Sequence, residues 1–86
     1  MMRIEEIEKL PPKEAIEILT DLLEKDPKNE DALVLRGQKY WSLNLRKEAM
    51  GDYLAALKLN PESKAKMLLA YAESILSFYH KDLLNP

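Results

Sequence analysis

The triplet Lys13-Glu14-Ala15 returns further along the chain as Lys47-Glu48-Ala49. Leu23 returns as Leu57 and Asp26-Pro27 as Asn60-Pro61, and every one of these offsets is 34 residues. A helix start, a core position and a helix end that recur at one interval constrain the fold more tightly than composition does. The period points to a stacked helix-turn-helix unit. Each unit has an apolar face too large to bury alone, so its neighbour must cover it.

Nothing in the chain favours strands. Valine and threonine occur once each, at Val34 and Thr20, and no segment alternates apolar and polar residues. Leu, Ala, Glu and Lys dominate, all good helix formers, and the expected fold class is all-α. The punctuation divides the chain into five helices. Residues 3–10 form a short one that Pro11-Pro12 ends, and Pro12 suits the first turn of the next, where its missing N–H is not needed. That helix runs over residues 12–25, with Ala15, Ile16, Leu19, Leu22 and Leu23 on one face, and stops at Asp26-Pro27. Asn29 caps a third over residues 30–43, and Asn44-Leu45 makes a tight turn. A fourth over residues 46–59 turns Ala49, Tyr53, Ala56 and Leu57 inward, and Asn60-Pro61 ends it. Ser63 caps a last helix that reaches residue 82.

Residues 30–63 resemble a tetratricopeptide repeat (TPR). The residues that carry the resemblance are Leu33, Arg36, Gly37, Tyr40, Ala49, Tyr53, Ala56 and Pro61. Seven of the eight fit, with Leu33 in place of the usual Trp and Tyr53 in place of Phe. Gly37 and Ala49 are expected where the two helices of the unit come closest, with Ala56 playing that part against the next unit. Arg36 departs from the pattern by standing at an apolar position, and its long stem suits it to carry the charge to solvent. Gly51 lies inside the fourth helix at a cost of up to about 1 kcal/mol relative to Ala, for which a close contact would be the packing reason.

The resemblance implies a short right-handed superhelix of antiparallel helix pairs, a TPR-like α-solenoid. An 86-residue chain is bounded at one domain. Residues 1–29 would be a partial repeat, 30–63 a full repeat and 64–86 a C-terminal capping helix, where Tyr71 and Ser74 replace the expected Gly and Tyr.

Composition removes several classes of function. Apolar residues at 47% and charged residues at 33% describe a chain that folds. There is no cysteine and only His80, so disulfides, thiolate metal sites and multi-histidine metal sites are excluded. The net charge of −2 and its scattered lysines give nucleic acid no basic stripe. The start Met1-Met2-Arg3-Ile4-Glu5-Glu6 is not a signal peptide, and no run approaches the roughly 18 apolar residues of a membrane span. A cytoplasmic protein is expected. Ser74 and His80, six residues apart on one helix, project away from each other, and the two glycines are isolated rather than part of a phosphate loop. His80 reads as a surface or capping residue near a helix end. No catalysis and no cofactor are expected.

Protein binding is the expectation that remains. In the family that the chain resembles, the first helix of each unit lines a concave surface. The resemblance places Asp31, Val34, Leu35, Gln38, Trp41 and Ser42 there. The expected partner-binding residues are Val34, Leu35, Gln38, Trp41, Leu68, Ala72 and Ile75, acting mainly by apolar burial on a protein or peptide partner. Val34 and Gln38 stand where the chaperone-binding members carry Lys and Asn, so a carboxylate clamp is not expected. Trp41, the only tryptophan, is read both as a binding hot spot and as core. The last helix carries two apolar stripes, Met67/Tyr71/Phe78 and Leu68/Ala72/Ile75/Leu76/Tyr79, where one would suffice. The second stripe has several readings: it packs on the N-terminal segment Ile4/Ile7/Leu10, Phe78, Tyr79, Leu83 and Leu84 fold back onto the fourth helix, or the face binds a partner or self-associates in a homodimer.

Overall fold

The computed structural model describes the backbone of residues 2–84 and the side chains of residues 2–76. Among these, five α-helices follow one another and no strand occurs: α1 Ile4–Glu8, α2 Pro12–Lys25, α3 Glu30–Ser42, α4 Arg46–Leu59 and α5 Ala65–Leu84. The expectations for Phe78, Tyr79, His80, Leu83 and Leu84 lie outside the described side chains.

The 34-residue interval is written into the helices. α2 and α4 each have 14 residues and coincide end for end when one is shifted by 34. They also end alike: the Asp26 N–H donates to the Leu22 carbonyl, and the Asn60 N–H to that of Ala56. The expected punctuation is present. Asn29 Oδ1 accepts the Ala32 N–H at 3.1 Å, capping α3. Asn44 takes a positive φ of 63°, which asparagine tolerates better than most residues, and so reverses the chain between α3 and α4. Ser63 Oγ accepts the Ala65 N–H at 3.2 Å ahead of α5.

The helices pack in chain order, α3 lying between α2 and α4, and α5 on the far side of α4. α3 is therefore the central element. It buries Ala32, Leu33, Val34, Leu35 and Gly37, more of its circumference than one stripe. Ile7, Ala15, Leu19, Ala49 and Ala56 are fully enclosed around it. The close approach expected at Gly37 is there: a Cβ on Gly37 would lie 2.5 and 2.8 Å from the Tyr53 ring carbons and 3.2 Å from the Ala49 carbonyl. Gly51 is different. Nothing lies within 4 Å of the position its Cβ would take, so no close contact explains it.

Arg36 does not carry its charge to solvent. Its Nε and Nη2 donate to Asp52 Oδ2 and Oδ1, both at 2.8 Å. Its Nη1 donates to Thr20 Oγ1 at 3.2 Å. One guanidinium thus joins α2, α3 and α4, and the near-complete burial of Asp52 shields the pair. The two-pronged geometry fits a planar guanidinium to a carboxylate. A second cation works at the N-terminal end. Lys39 Nζ donates to the Glu8 carbonyl at 2.6 Å and the Leu10 carbonyl at 3.1 Å, satisfying oxygens left open where α1 stops.

α5 seats Ala65, Leu69 and Ala72 inward against the body. Leu69 belonged to neither expected stripe, and its burial rotates the inward face away from Met67 and Tyr71, which stay exposed. No helix among the described residues is long and apolar enough to cross a membrane.

The start of α3 is tied to the end of α4. Asn60 Nδ2 donates to Glu30 Oε1 at 3.0 Å. The Ser63 hydroxyl, then the Asn60 amide, hold the Glu30 carboxyl below its ordinary pKa by favouring its charged form. A carboxyl whose pKa is lowered on folding stabilises the fold above its unfolded pKa, and that contribution is lost as pH falls through the lowered value. Glu30→Gln is therefore expected to lower stability at neutral pH and to flatten the acid limb of the stability-against-pH curve, the variant and parent curves converging below that interval. Urea titrations at a series of pH values measure this. An unaltered acid limb would remove Glu30 from the account.

Candidate partner-binding groove

Between α3 and α5 lies an open groove of about 190 Å³ lined by Gln38, Trp41, Tyr53, Leu68 and Tyr71. Gln38 and Trp41 come from successive turns of α3. Leu68 and Tyr71, three residues apart on α5, form the facing wall. Tyr53 from α4 is the floor and is almost wholly buried. Burial pushes its phenol pKa upward, with the Asp52 charge adding to the effect, so the floor is a neutral ring at physiological pH.

Trp41 is half-buried, neither enclosed core nor free surface. The Arg46 guanidinium lies 4.1 Å from the centre of its ring. Arg46 Nη2 also donates to Asn44 Oδ1 at 3.2 Å, so the turn between α3 and α4 aims the cation at the indole. Such a stack contributes about 0.5–1 kcal/mol where water still reaches it. The groove is thus largely aromatic, and its Trp41 ring carries a stacked cation.

The structure brings together Gln38, Trp41 and Leu68 of the seven residues expected to bind a partner. It does not present Val34, Leu35 or Ala72, which are 2%, 5% and 1% exposed and belong to the core. Their burial follows from the central place of α3 and from the rotated inward face of α5. Ile75 is half-buried and outside the groove lining. Sequence reasoning missed Tyr71 and Tyr53 as parts of the groove and Arg46 as the cation stacked on Trp41. Tyr71 was legible, since it follows Leu68 at helical spacing. The Arg46–Trp41 stack depends on the backward turn at Asn44 and leaves no spacing signal.

A groove of this volume is smaller than the roughly 300–1,000 Å³ of small-molecule sites, and suits one or two inserted side chains. None of its five lining side chains is a carboxylate, histidine or cysteine. Among the described residues, no group of three or more His, Cys, Asp or Glu side chains could hold a metal ion. No family model, curated protein or solved structure matches the chain.

Proposed function

We propose that this chain is a TPR-like, non-catalytic protein–protein interaction module that holds a partner peptide or helix in the groove between α3 and α5. The observation that carries this reading is Trp41, a half-buried indole beside Gln38 with Leu68 and Tyr71 on the opposite wall of an open groove. Tryptophan combines a large apolar area with one N–H donor and is enriched where binding energy concentrates. The repeat reading supports it: the end-for-end match of α2 and α4 and the tight seat of Gly37 against Tyr53 and Ala49 are what stacked antiparallel helix pairs require. On this reading the helix pairs wind as a short right-handed superhelix with the groove on its concave side. The inserted group is an apolar side chain, with an acidic or carbonyl group near Arg46.

A displayed library of random peptides, selected on the intact chain, tests the proposal. Selected peptides are expected to shift the emission of Trp41, the only tryptophan. They are expected to lose about tenfold or more in affinity to Gln38→Ala and Leu68→Ala variants that melt like the parent. Selected peptides that leave the emission unmoved and bind both variants equally would place binding elsewhere.

A further inference from the structure

α3 and α5 stand 34 residues apart in register, as α2 and α4 do, so each contact between α3 and α4 has an equivalent pair of positions on α5 and α2. In the α3–α4 pair Leu33 is buried and Gly37 lies against Tyr53. Their equivalents on α5, Met67 and Tyr71, are 76% and 61% exposed. The first turns of α5 therefore leave bare the face that α3 covers with α4.

The converse gap lies on α2. Ile18 is the equivalent of Asp52, which α4 turns toward Arg36 of α3, and Leu22 is the equivalent of the fully buried Ala56. The five residues of α1 do not cover them both. Ile18 and Leu22 instead line, with Ile7, an apolar groove of about 300 Å³ rimmed by Asp21 and Asp26. Lys25 also stands on this rim.

Charge makes the two surfaces complementary. The hydrogen bond from Asn60 to Glu30 joins the end of α4 to the start of α3. The equivalent positions are Asp26 at the end of α2 and Lys64 at the start of α5, a pair of opposite charges. Each sits where its own helix disfavours it. Asp26 is at the negative C-terminal end of α2, and Lys64 and Lys66 are at the positive N-terminal end of α5, whose first turn has no acid. Across the wider surface, residues 1–31 carry ten acids against five bases. Residues 46–72, leaving aside the paired Asp52, carry five bases against two acids.

We propose that the α1–α2 groove receives the first two turns of α5 from a second copy of the chain, with Met67 seated on Ile18 and Leu22 and Lys64 paired with Asp26. Past Tyr71 the incoming helix leaves the groove at its Ile7 edge, because α1 already holds the adjoining seat on α2. α2 and α5 flank the α3–α4 pair on opposite sides. The contact is therefore heterologous, and copies add head to tail without closing at two. This inference does not rest on the α3–α5 groove holding a partner.

Sedimentation velocity of the intact chain from micromolar to millimolar concentration is the test. The mean mass is expected to grow past the dimer with concentration and to fall back in high salt, which screens the rim charges. Met67→Glu spoils the helix side, and Asp21→Lys with Asp26→Lys spoils the groove side. All three positions are exposed, and circular dichroism checks that the fold is retained. Each variant alone is expected to associate about tenfold more weakly or less. An equimolar mixture of the two retains one good groove and one good helix, and is expected to form a species of two chains and none larger. A parent chain that stays monomeric throughout overturns the proposal. So does a dimer that survives the groove variant, which would mean that α5 pairs with α5.

Discussion

Asp52→Ala is expected to lower the unfolding free energy by about 3–5 kcal/mol, the usual result of removing one partner from a buried ion pair. The Asp52 side chain is 9% exposed, and its carboxylate accepts both prongs of the Arg36 guanidinium at 2.8 Å. Truncating it leaves a cation facing alanine between three helices, with Thr20 as its one remaining hydrogen-bond partner among the described residues. A chain of this size holds about 4–13 kcal/mol in all, so the variant should be close to its unfolding midpoint under mild conditions. Replacing both partners with apolar residues, Arg36→Leu with Asp52→Leu, is expected to recover most of the loss, because no unpaired charge then remains buried. Urea unfolding of the single and double variants gives both numbers. A loss under 1 kcal/mol in Asp52→Ala would mean that water already shields the pair.

The two glycines should respond to alanine in opposite directions. Gly37→Ala puts a methyl group 2.5 Å from a Tyr53 ring carbon that is itself packed in the core. The ring has to shift to make room for the methyl group, and such overpacking costs about 1–3 kcal/mol even against the gain in helix propensity. Gly51→Ala meets nothing within 4 Å and should instead stabilise by about 0.5–1 kcal/mol. Thermal melts of the two variants separate the cases. Adding Tyr53→Leu to Gly37→Ala should restore part of the loss, since α2 carries Leu19 at the equivalent position. If Gly37→Ala melts at or above the parent, α3 and α4 do not nest where Gly37 meets Tyr53.

Helix order and helix ends were legible in the sequence because they depend on local chemistry. Asn29, Ser63 and the prolines act within a few residues of themselves, and a recurrence of 34 residues fixes α2 against α4 with no knowledge of packing. What was not legible depends on partners from other helices. The Arg36–Asp52 pair spans 16 residues, and its only trace in sequence is a polar residue at each of two positions where apolar ones were expected or recur upstream. The burial of Val34 and Leu35 follows from α3 having neighbours on both sides, whereas reading one apolar stripe per helix assumes a single buried face. Leu69 was missed for a related reason. α5 is apolar around much of its girth, so its pattern alone did not say which side turns inward.

Residues 2–8 are held by little. Five residues are too few to sustain a helix unaided, and α1 keeps its shape because Ile7 is enclosed and the Lys39 ammonium grips two of its closing carbonyls. That grip is a clasp made of a single amine. Acylating it takes away its charge and all but one of its donor hydrogens, so at most one of the bonds to the Glu8 and Leu10 carbonyls could remain.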